Sequence, residues 1–179
     1  MLFLITTTSV TLKAQAAKTY RVLVEDQFVP REVRVGFKAK YPNAFLVLWY
    51  TSHVTYWYED YAPSWYGNWY PERQVIVHKL EKPAYYEADF QLTGNPSRAL
   101  FNRFGQWFET RSRIKELPET VVQGLKNSEF GDWMWSEHKE RVFIPGYEGE
   151  IYRLMVSNKR NSYIVRLNEK GEILQIKYE

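Results

Sequence analysis

The 179-residue chain contains no cysteine. That single absence excludes disulfides, thiolate metal sites, cysteine nucleophiles and lipid-modified cysteines. Histidine is scarce: His53, His78 and His138 are the only three. None has a second histidine at the spacing with which a helix presents two ligands to a metal. Glycine-rich phosphate loops are missing, and so is the Gly-x-Ser-x-Gly nucleophile elbow. No apolar run reaches the roughly 18 residues that a membrane-spanning helix needs. Excess charge is slight, at +3, and the longest basic patch is Lys159-Arg160. Nucleic-acid binding normally shows a stronger basic footprint. With these absences the chain reads as non-enzymatic, with no cofactor, no metal, no nucleic acid and no membrane span.

Aromatic residues are what the chain has in excess, at 17%. Ten of them, Trp49, Tyr50, Tyr56, Trp57, Tyr58, Tyr61, Trp65, Tyr66, Trp69 and Tyr70, lie within 22 residues. The stretch also holds His53, Glu59 and Asp60, with His78 beyond it. These four read as solvent-facing loop and strand residues. Glu59 and Asp60 do not suit a glycosidase pair, because neighbours on a strand point to opposite sides while the chemistry needs two carboxyls facing one bond.

The N-terminus starts with an apolar run and continues to Ala14-Gln15-Ala16, a small-x-small pattern that suits signal-peptidase cleavage. Residues 1–16 are therefore expected to be a signal peptide, and the mature protein to be periplasmic or secreted. Lys13 follows the apolar run, whereas signal peptides carry their basic residues before it.

Two segments begin alike. Phe28–Ala44 and Glu116–Asp132 each place a proline ahead of apolar residues at helical spacing. Pro30 and Pro118 suit the first helical turn, where a missing N–H costs nothing. Val33 and Phe37 then share a face, as do Val121 and Leu125. The segments that follow the helices align without a gap when Tyr86 is set on Tyr152. Asn95 then falls on Asn161, Asn102 on Asn168, and Gly105 on Gly171. `FNRFGQWFE` and `LNEKGEILQ` read as strand–turn–strand units with the turn at Asn-x-x-Gly. The offset is 88 residues at the prolines and 66 at the tyrosines, so the first copy carries about 22 extra residues, all within 51–83. The resulting organisation is a first repeat at 17–113, with an insertion at about 51–83, and a second at 114–179. The aromatic cluster is the insertion.

These residues resemble the PepSY-like, β-lactamase-inhibitor-protein-like domains common in exported proteins of Bacteroidetes. The likeness is carried by Pro30, Tyr41, Pro42, Ala44, Trp49, Tyr86, Glu87, Phe90, Phe101, Asn102, Gly105 and Trp107. It covers most of the chain after Tyr20. Asn102 stands where the family often has Asp, a change that hairpin chemistry tolerates, and the aromatic insertion is not part of the pattern. The resemblance implies an α+β fold of two tandem helix-plus-antiparallel-sheet repeats, the sheets joined and the helices packed on one face. It also implies export and a role in binding or inhibiting proteins.

Three readings of the rings compete. They pack as a satellite core under a long loop, they form a protein-binding face, or they stack on sugars. Turn formers surround two Trp-Tyr pairs in `APSWYGNWYPE`, and turn-rich tips sit on surfaces. The favoured expectation is a protein or peptide partner bound through Trp57, Tyr58, Tyr61, Trp65, Tyr66, Trp69 and Tyr70, with a glycan as the alternative. Single-stranded nucleic acid would call for basic residues among the rings. Between Trp49 and Tyr70 there are none. Arg31, Arg34, Lys38 and Lys40 read as the solvated face of the first helix.

Overall fold

A computed structural model describes residues 22–52 and 85–178. Strand β1 (Val22–Val24) leads through a 3-10 turn into helix α1 (Arg31–Lys40). Strands β2 (Phe45–Ser52), β3 (Tyr85–Leu92), β4 (Asn95–Asn102) and β5 (Trp107–Ile114) follow. Helix α2 (Glu119–Lys126) then precedes β6 (Met134–Phe143), β7 (Ile151–Ser157), β8 (Ser162–Asn168) and β9 (Ile173–Tyr178). The nine described strands form one antiparallel sheet in chain order, each pairing with its neighbours in that order. Pairing of β5 with β6 makes the sheet continuous across α2.

The helices start and stop for local reasons. Pro30 and Pro118 are extended residues at the two N-caps. Neither needs an N–H there, and each carbonyl accepts the first helical bond, from Arg34 and from Val122. Tyr41 donates its N–H to the Phe37 carbonyl, and Pro42 then blocks continuation.

Register divides the sheet into two faces. Phe90, Ser97, Ser112, Arg141, Tyr152 and Leu167 are successive partners across six strands. Both helices pack on this side. Under α1, the Phe37 ring meets Trp49, Phe90 and Phe101 edge-on, at 5.2, 5.0 and 6.1 Å. Such pairs add about 0.5–1.5 kcal/mol beyond area burial. Under α2, Val121 and Leu125 bury against Tyr152, Leu154, Val156, Val165 and Leu167. Arg31, Lys38 and Lys40 are exposed as expected, whereas Arg34 is half-buried and ion-paired with Asp26 at 3.1 Å.

Each helix presses a glycine on a hairpin glycine. A Cβ on Gly36 would stand 2.6 Å from the Gly105 carbonyl oxygen. One on Gly124 would come closer still to the Gly171 carbonyl. Gly105 and Gly171 sit at φ +80° and +83°, in the turns between β4 and β5 and between β8 and β9. The asparagines explain those turns. Asn102 Oδ1 accepts the N–H groups of Phe104 and Gln106, and Asn168 Oδ1 those of Lys170 and Glu172. An Asx carbonyl that ties its own turn two and four residues on fixes the loop. The positive φ then falls to glycine, which alone adopts it without strain.

Candidate functional site

The opposite face of the sheet carries no helix among the described residues, and its composition differs. Leu48, Asp89, Arg98, Arg111, Val142, Ile151 and Asn168 form one row of register partners. Beside it, Arg113, Glu140, Arg153, Arg166 and Gln175 form another. On the other flank Leu23, Tyr50, Glu87, Leu100 and Glu109 form a third. Polar and charged residues thus occupy the centre of a face that elsewhere buries Leu100, Phe108, Val142, Ile144 and Ile151.

Burying charge requires pairing, and the pairs are there. Arg111 Nε donates to Glu109 Oε1 at 2.6 Å, and Arg166 Nη2 donates to the same oxygen at 3.2 Å. Glu109 is only 2% exposed. Strands β5 and β8 lie three strand spacings apart, about 14 Å on a flat sheet. The contact therefore joins two strands that β6 and β7 separate in the sheet, which must curve to bring them together. Arg153 Nη1 donates to Glu140 Oε2 at 2.7 Å, and His138 Nε2 lies 3.0 Å from Glu140 Oε1. Burial alone would raise the Glu140 carboxyl, but the His138 hydrogen bond and the charges of Arg111 and Arg153 outweigh it. The result is held down to about 2. Arg98 Nε donates to Asp89 Oδ1 at 2.9 Å.

A cleft of about 490 Å³ opens at the β2 side of this network, where Leu46 and Leu48 meet Arg98, Arg111, Arg113 and His138. Leu46 and Leu48 are 74% and 52% exposed. Leu46 has φ +53° at a register shift between Phe45 and Leu48. A branched side chain seldom adopts this conformation. The cleft joins an apolar rim to a wall of charges, in which Arg98 is paired with Asp89 and Arg111 with Glu109 while Arg113 is exposed.

A second cleft, of about 580 Å³, lies between the C-terminal end of α1 and the loop from β6 to β7. Its Trp107 ring is already covered by Lys40, whose Nζ is 3.3 Å from the ring centroid. Burial lowers the Lys40 pKa. Trp107 Nε1 donates to Thr110 Oγ1 at 2.8 Å, and Thr110 also bonds the Tyr41 hydroxyl. This corner consolidates the first core, with Lys40 over the Trp107 ring.

The residues expected to bind a partner, Trp57, Tyr58, Tyr61, Trp65, Tyr66, Trp69 and Tyr70, lie outside the described residues. So do His53, Glu59, Asp60 and His78. His138 is on the helix-free face beside Glu140. Trp49 and Tyr50 divide between the faces: Trp49 is buried under α1, and its Nε1 donates to Asp26 Oδ1 at 3.1 Å, while Tyr50 is half-buried on the other side. The cleft escaped sequence reasoning. Its signal was present, since Arg98, Arg111 and Arg113 recur at strand periodicity on one face, but only the β4–β5 register brings them together. No group of three or more His, Asp or Glu side chains suited to a metal occurs among the described residues. None of the described helices is long and apolar enough to cross a membrane.

No family model matches the sequence, and no curated protein matches it. Solved structures do match in fold. A BLIP-like protein from Bacteroides fragilis has a TM-score of 0.59 at 18% identity, over 83% of this chain and 86% of its own. A DUF2874 family protein from Bacteroides ovatus has a TM-score of 0.58 at 20% identity, over 83% and 86%. A protein of proposed periplasmic location from Bacteroides eggerthii has a TM-score of 0.56 at 22% identity, over 84% and 89%. The chain therefore shares the α+β fold of BLIP-like and DUF2874 proteins from Bacteroides.

Proposed function

We propose that the protein is an exported, non-enzymatic binding protein that engages a protein or peptide partner. Its contact surfaces are the aromatic insertion at 51–83 and the helix-free face of the sheet. The observation that carries this reading is the character of that face. It joins exposed leucines to arginines in an open cleft, a mixture of apolar and charged groups suited to interfaces. The insertion lies between β2 and β3, strands that contribute Leu46, Leu48 and Asp89 to the cleft. The inhibitor-like neighbour adds support, since its fold is shared. Export is supported by Ala14-Gln15-Ala16 and by the proposed periplasmic location of one neighbour.

In this reading the scaffold is a duplication, with units at 17–113 and 114–179. Its support is the recurrence of whole interactions. Gly36 meets Gly105 as Gly124 meets Gly171. Asn102 closes its turn with the same backbone bonds as Asn168.

The test is a Trp65→Ala/Trp69→Ala double variant. It is expected to keep the wild-type circular dichroism spectrum and melting temperature and to lose partner capture from a periplasmic extract, with captured proteins identified by mass spectrometry. If the double variant unfolds, the rings belong to a core and the aromatic part of the proposal fails.

A further inference from the structure

The cleft between the C-terminal end of α1 and the loop from β6 to β7 has a volume of about 580 Å³. Small-molecule sites have this size, with mostly apolar walls and a few polar groups. Here the walls are flat. They come from Trp107, Phe143, Tyr147, Pro42 and Pro145, and the three rings are each half-buried. Lys40 is the one charged side chain in the lining among the described residues. Its Nζ stands 3.3 Å from the Trp107 ring centroid and 5.9 Å from that of Tyr41. A ring attracts an ammonium without neutralising it, so the N–H donors that face away from the ring stay open. Burial lowers the Lys40 pKa, and no neighbouring carboxylate opposes that effect. The ammonium is thus partly desolvated without a counter-ion, a state that an anion relieves. Arg141 does not add to the site. It stands over the Phe143 ring at 5.2 Å but is ion-paired with Glu150 at 2.8 Å.

We infer that this cleft binds a small aromatic carboxylate, its ring system seated among the aromatic and proline side chains and its carboxylate on Lys40 Nζ. The inference goes beyond the partner binding proposed above, and the cleft shares no lining residue with the one at β2. Charge sets the sign of the ligand. A cation would meet Lys40, and a neutral molecule would forgo the charge-assisted hydrogen bond that a carboxylate makes with an ammonium. Charge also sets the ligand's direction. Beside Gly149, the Glu169 carboxylate accepts the Glu150 N–H at 3.3 Å. A negative group is therefore directed to Lys40 rather than to Gly149. Shape sets the body. Rings gain from offset or edge-on contact with other rings, and a rigid ring loses less freedom on binding than a flexible chain.

The experiment titrates the full chain with four probes and follows nitrogen–proton correlation spectra. The probes are 2-naphthoate, its neutral match 2-naphthamide, the aliphatic acid decanoate, and acetyl-Ala-Ala-Phe with a free C-terminus. Naphthoate is expected to shift the Trp107 indole N–H and the backbone amides of Asn43, Gly146 and Gly149, with a Kd of about 1 mM or below. Naphthamide should bind at least about fivefold more weakly, and Lys40→Gln should weaken naphthoate by a similar factor. Lys40 is exposed, so this variant should fold as wild type, which circular dichroism checks. Lys38→Gln, on the same helix but outside the lining, should leave naphthoate binding unchanged. Decanoate and the peptide should both bind more weakly than naphthoate. Equal binding of naphthamide, indifference to Lys40→Gln, no naphthoate binding, or shifts confined to other parts of the protein would each overturn the inference. Tighter binding of decanoate would overturn it in favour of an aliphatic acid, and tighter binding of the peptide in favour of a protein C-terminus.

Discussion

Replacing Glu109 with Gln keeps the shape of the side chain and removes one charge. The site is severe: Glu109 is 2% exposed, with Arg111 and Arg166 at 6% and 2%. Both guanidiniums donate to the Glu109 carboxylate. Removing one member of a buried ion pair costs about 3–5 kcal/mol, because the remaining charge stays desolvated. A glutamine carbonyl still accepts one of the hydrogen bonds, so the lower end, about 3 kcal/mol, is expected. For a domain of this size that is a fall of about 6–12 °C in melting temperature. Thermal and urea unfolding followed by circular dichroism read it, with Glu148→Gln, an exposed site, as the control. Combining Glu109→Gln with Arg166→Met should cost less than the two single changes added together, since the cycle isolates their coupling. If Glu109→Gln stays within about 0.5 kcal/mol of wild type, as surface substitutions do, the ion pairs that Glu109 makes with Arg111 and Arg166 are not a structural element and the account of this face is wrong.

Gly36→Ala and Gly124→Ala should both destabilise. The alanine gains about 1 kcal/mol of helix propensity but must push a hairpin backbone aside, and overpacking costs about 1–3 kcal/mol. Gly124→Ala should be the worse of the two, because its added Cβ meets Gly171 at the shorter distance; urea midpoints that rise instead would show that the helices are not seated on the turns. Glu140 makes stability depend on acid. Its folded pKa, about 2, lies below the ordinary 4.5, so its contribution, about 3 kcal/mol, is fully present above about pH 5 and is lost as pH falls toward 2. The stability gap between wild type and Glu140→Gln should close over that range in urea titrations; a gap independent of pH would remove the charge network as its cause.

The helix-bearing side was legible in the sequence because one period governs each of its elements. Val33 with Phe37 and Val121 with Leu125 were each read from spacing, and all four are buried. The turns were legible because Asn-x-x-Gly has a local physical cause. The helix-free face was not, for a reason of distance. Glu109 and Arg166 are 57 residues apart and meet only across two intervening strands. Charged residues at strand positions also look solvent-facing to any periodicity argument. Glu87, Glu109, Arg111 and Arg166 are buried instead, because pairing outweighs the preference for water that sequence reading assumes. The glycine contacts were hidden for a similar reason. Gly36 within a helix reads as a weak point, and only the position of Gly105 shows that the missing side chain is what lets the helix approach.

The aromatic segment falls between β2 and β3 in the chain, and its residues lie outside those described. Ser52 and Tyr85, which flank residues 53–84, are register partners on adjacent antiparallel strands. Antiparallel neighbours need only a two-residue turn to connect them. The sheet therefore does not require a long connection at this point, and loop-closure entropy changes only slowly with length. Replacing residues 53–84 with Asn-Gly should leave a protein with the same nine-stranded sheet, measured by backbone amide shifts of residues in α2 and β6–β9. If the shortened protein folds and no longer captures a partner, the insertion is the means of recognition and the sheet its support. If it folds and still captures the partner, the helix-free face acts without the rings. If it does not fold, the 53–84 segment is part of the core, and the aromatic surplus that marks this sequence serves packing before it serves recognition.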